Sequence, residues 1–142
     1  MSLSTLARGG LILLAAAALA PAAHAATPAE LLAGYSAQAA APASPERGQR
    51  FFKSNHGQNF GWSCASRHAP DPTRPGRHAI SEKAIAPLAP AANAKRFTDA
   101  SKVEFHFRLN CKDVVGRDEC SAGEKADVLG WLLRLKPCAE PG

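Results

Sequence analysis

Ser121-Ala122-Gly123-Glu124-Lys125-Ala126-Asp127-Val128-Leu129-Gly130-Trp131-Leu132-Leu133-Arg134-Leu135-Lys136-Pro137 is the stretch whose reading decides the fold class. Ser121 and Glu124 stand three apart, the spacing at which a serine and a glutamate cap each other's backbone N–H groups at a helix start. Val128, Trp131, Leu132 and Leu135 then fall at i, i+3, i+4 and i+7, one face of a 3.6-residue period. Pro137 has no N–H to continue the ladder, so the helix is expected to end there. One amphipathic helix with a broad apolar face needs partners, and the rest of the chain supplies helical ones.

Working outward, residues 112–119 read as a short polar turn around Gly116, and Thr98-Asp99 opens a second helix that runs to about Asn110. Within it Val103 and Phe107 form one i,i+4 pair and Phe105 and Leu109 another, which predicts burial on two sides. Ser44-Pro45-Glu46 places an N-cap, a proline at the first helical position and an acid in the first turn. That helix continues through Phe51, Phe52 and Lys53 and stops near Gly57. Between these helices, residues 61–92 are rich in Pro, Gly, Arg and His and follow neither a period of two nor of 3.6. A structureless loop of that length is uncommon in a compact domain unless it wraps a ligand or cofactor. Residues 26–43 are Ala-rich with the short pattern Leu31-Leu32-Tyr35, a loose N-terminal helix carrying no chemistry of its own. No segment alternates as a strand would and no repeat occurs. The expected architecture is all-α, three core helices around a long ordered loop.

The chain has 142 residues, a formal charge of +5, 46% hydrophobic residues, four cysteines and one methionine. Met1 to Ala25 carries Arg8, an apolar run over residues 11–20 and Ala23-His24-Ala25, the form of a secretory signal with cleavage after Ala25. The expected division is therefore a signal peptide over 1–25, an Ala-rich segment over 26–43 and one domain over 44–138. After cleavage sixteen basic residues face twelve acidic ones. Without a basic run or interleaved aromatics, that surplus fits docking to an acidic protein surface and not tracking of a phosphate backbone, so nucleic acid is excluded as a partner. No run is long enough to span a bilayer. A thin core of this size ordinarily needs a disulfide, a metal or a cofactor, and export permits disulfides.

Within the irregular stretch, Trp62-Ser63-Cys64-Ala65-Ser66-Arg67-His68 differs at one position from the C-x-x-C-H motif of covalent haem attachment, with Arg67 in place of the second cysteine. In the intact motif two thiols bond the haem vinyls and the histidine ligates the iron. The mature chain has no methionine, so a sixth ligand would come from His56, His78, His106, Asn110, a lysine or water, or the position would stay empty. The ordinary uses of these residues are a helix cap for Asn110 and a solvated helix histidine for His106. Arg74 and Arg77 are candidates for haem propionates, since guanidinium matches carboxylate geometry.

Through Gly48 and Phe52, the motif region and the Val128-to-Leu135 helix, the sequence resembles class I c-type cytochromes. More specifically, Trp62-Ser63-Cys64-Ala65-Ser66, Gly76-Arg77-His78-Ala79, Pro87-Leu88-Ala89-Pro90-Ala91-Ala92-Asn93, Arg96-Phe97-Thr98-Asp99 and Asn110-Cys111-Lys112-Asp113-Val114 resemble, in order, the sphaeroides haem protein family of monohaem cytochromes c, also catalogued as a domain of unknown function. The resemblance covers residues 44–136. It implies a small class I cytochrome c-like fold wrapped around haem and a periplasmic location. It also implies a proximal ligand at His68, and an asparagine sixth ligand at Asn110 that leaves the iron on reduction so that oxygen or nitric oxide can bind. Electrons would come from a dihaem cytochrome c, and Cys111 and Cys120 would pair as a disulfide beside the haem. Arg67 departs from the family pattern. It limits attachment to a single thioether through Cys64, or to non-covalent haem. An electron carrier and ligand-binding haem protein is thus expected, not a turnover enzyme. The alternative is a haem-free secreted module, or a family member that has lost haem, held by Cys111–Cys120 and a Cys64–Cys138 pair. No nucleophile elbow, C-x-x-C or paired-carboxylate motif supports a hydrolase or thiol oxidoreductase.

Overall fold

The computed structural model describes residues 25–58 and 61–137. The signal-peptide reading of residues 1–25 therefore lies, but for Ala25, outside the described residues, as does Cys138. In chain order the elements are α1 (Pro28–Ala39), α2 (Pro45–Lys53), α3 (Ala65–His68), β1 (Gly76–Arg77), β2 (Ala84–Ile85), α4 (Ala100–Asn110), a π-helical turn (Cys111–Val115) and α5 (Ala122–Leu132). Their starts follow the capping chemistry. Ser44 Oγ accepts the Arg47 N–H ahead of Pro45, Asp99 accepts the Lys102 N–H, and Ser121 and Glu124 close a reciprocal box.

At the centre of the fold is α5, every residue of which from Lys125 to Leu132 is buried. It packs against α1 and α2. The α2–α5 crossing is close because position 48 is glycine: a Cβ there would run into the Asp127 carbonyl and the Val128 nitrogen. Asp127 locks the same crossing electrostatically. Its carboxylate accepts the Ser44 N–H at 2.6 Å and two bonds from the Arg47 guanidinium at 2.7 and 2.9 Å. Beneath, Phe52 packs on Trp131 with ring centroids 5.0 Å apart, joined by Val128 and Leu132.

Four local expectations are corrected. The N-terminal helix is not a loose appendage: Tyr35 is buried with Val103, Ala126 and Leu129, and Leu31 and Leu32 pack on that cluster. A second correction concerns α4, which is not buried on two sides. Val103 faces the core, whereas Phe105 is 60% and Leu109 43% exposed, because α5 and α1 cover a single face. Third, what reads as a polar turn over 112–119 begins as a π-helical turn with Cys111 and Val114 buried and ends on Gly116 at φ 76°. Lastly, α5 stops at Leu132, not at Pro137. The irregular stretch carries one turn of helix and a two-residue antiparallel ribbon, Gly76 against Ile85 and Arg77 against Ala84, too short to show alternation in sequence.

Candidate haem site

Two serines build the turn that carries the motif. Ser63 Oγ accepts the Ser66 N–H at 3.2 Å, and Ser66 Oγ accepts the Ser63 N–H at 3.0 Å. The Arg67 and His68 N–H groups then both bond the Cys64 carbonyl. One helical turn puts residues i, i+3 and i+4 on a common side, and Cys64, Arg67 and His68 all line the same cavity, whereas Ala65 and Ser66 do not. Immediately after His68, Ala69 adopts φ 64° and ψ 155°, a strained conformation for a residue with a Cβ. It turns the chain away from the cavity. Gly76 then passes so close to the Arg67 carbonyl and His68 Cα that a side chain there would collide with them, so the ribbon backs the motif directly.

The cavity is about 470 Å³ and mostly apolar, walled by Phe52 and Leu88, by Val103 and Phe107 of α4, and by Val128 and Leu132 of α5. That volume lies within the range of cofactor sites. Asn110, His78 and His106 also line it. His56 does not; its Nε2 lies 2.9 Å from the Phe51 carbonyl oxygen. His78 is engaged on one side, its Nδ1 accepting the Ser81 N–H at 3.2 Å. Neither Arg74 nor Arg77 reaches the cavity, and Arg77 pairs instead with Glu82. The cavity arginines are Arg67 and Arg96. Arg96 is fixed by donating to the Pro87 carbonyl at 2.9 Å and the Ala86 carbonyl at 2.6 Å. Nothing in the local sequence distinguished it from Arg74 or Arg77, because its placement depends on the fold of residues 86–97.

His68 is the chemically unusual group. Its Nδ1 is buried with no hydrogen-bond partner, and the same holds for Arg67 Nε. Burial, then the charges of Arg96 and Arg67 and the neighbouring His106, push its pKa down to about 4. It is therefore a neutral imidazole with a lone pair to offer at physiological pH. Burial pushes the Cys64 thiol up to about 11. Asn110, the last residue of α4, has both amide atoms engaged: Nδ2 donates to the His106 carbonyl at 2.7 Å and Oδ1 accepts from Arg67 Nη1 at 3.3 Å. Next to it Cys111 is disulfide-bonded to Cys120, with the two Cα atoms 5.7 Å apart, and both cysteines line the cavity.

Residues 38–132 match the family described as a domain of unknown function, DUF1924. The chain belongs to the DUF1924 family. It is 49% identical over 108 residues to cytochrome c-type protein SHP of Cereibacter sphaeroides, covering 75% of this chain and 82% of that protein. To cytochrome c'' of Methylophilus methylotrophus it is 44% identical over 84 residues, 59% of this chain and 56% of that one. The solved structure of oxidised SHP, described as an oxygen-binding cytochrome c, superposes with a TM-score of 0.70 at 49% identity, covering 75% of this chain and 95% of that one. Oxidised cytochrome c'' of Methylophilus methylotrophus superposes with a TM-score of 0.68 at 36% identity, covering 75% and 93%. This DUF1924 chain thus has the class I-like, all-α cytochrome fold expected from its sequence, with the short ribbon as an addition. Cytochrome c relatives of this kind imply haem as the cofactor. The apolar cavity, the unpartnered buried imidazole nitrogen and the thiol in the wall fit such a group. Among the described residues no helix is long and apolar enough to cross a membrane.

Proposed function

We propose that this protein is an exported, periplasmic haem cytochrome that passes single electrons and binds a diatomic ligand, oxygen or nitric oxide, at an iron held by His68 and, when oxidised, by Asn110. The observation that carries this reading is the single apolar cavity wall that includes both His68, neutral and with a buried unpartnered nitrogen, and Asn110 from a different element. Haem, when bound, would supply the redox-active iron to which the diatomic ligand binds.

The chain's own residues divide the remaining work. His68 offers a neutral imidazole held in place by the Gly76 backing and by Phe52, whose ring centroid is 6.3 Å from its own. Asn110 would offer its amide to the oxidised iron and, because an amide is a weak ligand for ferrous iron, would release it on reduction. Arg96 holds positive charge inside the cavity wall, where it neutralises a ligand's acidic groups. Phe52, Val128 and Leu132 exclude water. Cys64 forms the one thioether available to the chain, since position 67 is arginine. A dihaem cytochrome c or a similar periplasmic redox protein, docking to the modest basic surplus, supplies electrons. The protein is a carrier and ligand binder, not a turnover enzyme.

The test is the spectrum of the purified protein and its Asn110→Ala variant. A Soret band is expected in the first; its absence would favour the haem-free module instead. Asn110→Ala is expected to turn the ferric spectrum high-spin and leave the ferrous one nearly unchanged, with His78→Ala and His106→Ala leaving the ferric spectrum intact. A low-spin ferric Asn110→Ala protein would mean that a histidine is the ligand, and with no vacant axis on reduction the protein would serve electron transfer alone.

A further inference from the structure

The residue that breaks the attachment motif is itself built into the cavity. The Arg67 side chain is only 12% exposed and reaches Asp113 in the π-helical turn at 3.7 Å. Its guanidinium lies 5.3 Å from the centre of the Trp62 ring, and its Nη1 donates to Asn110 Oδ1. A surface arginine would leave Asn110 alone. This one is fixed on an aromatic face and a carboxylate, so that one N–H is aimed at the amide that the proposed function needs to move. With Nδ2 held by the His106 carbonyl, both polar atoms of Asn110 are satisfied by protein. The arrangement is a seat for the amide.

We infer that Arg67 is a latch that holds the Asn110 side chain in a docked position, away from any metal in the cavity, and so favours the detached, ligand-accepting state. This rests on the reading of Asn110 as the displaceable ligand. An amide in water would lose little on leaving an iron or returning to it, but Asn110 is half-buried, so water satisfies its oxygen only in part and a protein partner at the docked position favours that position. Arg67 provides that second partner. A hydrogen bond from a charged donor makes the docked position about tenfold more populated than it would be without the guanidinium. In place of a second thioether the chain has a positioning residue that biases when the site opens.

A double-mutant cycle on the haem-loaded protein tests this, with the midpoint potential and the spin state as readouts. Removing the Arg67 charge lowers the potential in any case, so the latch is the part of the change that depends on Asn110. Arg67→Leu in the wild-type background is expected to lower the potential by about 59 mV, one factor of ten, more than the same change in Asn110→Ala, and to raise the low-spin six-coordinate fraction of the ferrous protein. Arg67→Lys keeps the charge with a less directed donor, and is expected to give a smaller coupling even if Arg67→Leu does not accumulate. Equal shifts in the two backgrounds would overturn the latch. A ferric Asn110→Ala protein that stays low-spin would instead overturn the ligand assignment on which the latch rests, so the two failures are told apart by the single-mutant spectrum.

Discussion

An arginine, whose side chain extends four atoms further than a cysteine's, can do what a thioether cannot: it reaches past the motif turn to another element. At position 67 it meets Asp113, Asn110 and the Trp62 ring, whereas a cysteine there would point at the cavity and stop. Covalent attachment then depends on Cys64 alone. A pyridine haemochrome spectrum of the wild-type protein is expected at the position for one unreacted vinyl, and acid acetone should extract all haem from Cys64→Ser and little from the wild type. A two-thioether spectrum would contradict the single-bond reading. Cys64 and His68 were visible in the sequence as residue types at a meaningful spacing, whereas Asn110 stood out only through the family resemblance of the block that begins with it. Arg96 was not, since a loop arginine acquires its role only once the Pro87 and Ala86 carbonyls are folded around it.

At the level of elements, the caps and the α5 stripe were legible because each depends on residues three or four apart. What could not be read was where each apolar residue of α4 points: Val103 packs into the core, Leu109 lines the cavity and Phe105 faces outward, although all three carry the same local signal. The α2–α5 crossing yields a direct prediction. Gly48→Ala should destabilise the fold by about 2 kcal/mol despite its better helix propensity, because the new methyl meets the α5 backbone, and a fall in the urea midpoint would report it. Asp127→Ala leaves the Ser44 N–H and the Arg47 guanidinium without their acceptor and should cost about 2 kcal/mol by the same assay. Reducing the Cys111–Cys120 bond frees a short loop beside Asn110, with an expected loss of roughly 2 to 3 kcal/mol. Peptide mapping without reduction checks the pairing itself.

Across the whole molecule, a buried lysine joins helices that no local sequence pattern links. Lys125 on α5 bonds Glu104 of α4 at 2.8 Å and Glu119 at 3.1 Å, and Tyr35 of α1 donates to Glu104 at 2.6 Å. Burial works against both charges, yet the hydrogen bonds within the network outweigh it, so Glu104 titrates below and Lys125 above their ordinary values. The network's stabilisation is therefore present above about pH 4.5, lost as pH falls through the depressed Glu104 value, and lost again at the alkaline end as Lys125 deprotonates. Glu104→Gln should lower stability by about 1 kcal/mol at neutral pH, with the gap to wild type closing in acid, as urea titrations from pH 3 to 7 would record. The Cys64 thiol has a consequence for how the molecule is made. With its pKa pushed up to about 11 by burial, almost none of it is thiolate at neutral pH, and a sulfur in that form is a poor nucleophile. A folded chain supplied with free haem is therefore expected to bond it slowly at Cys64, and acid-acetone extraction after such loading, with most of the haem released, checks it. The order in which folding and haem loading occur would then set how firmly the cofactor is held.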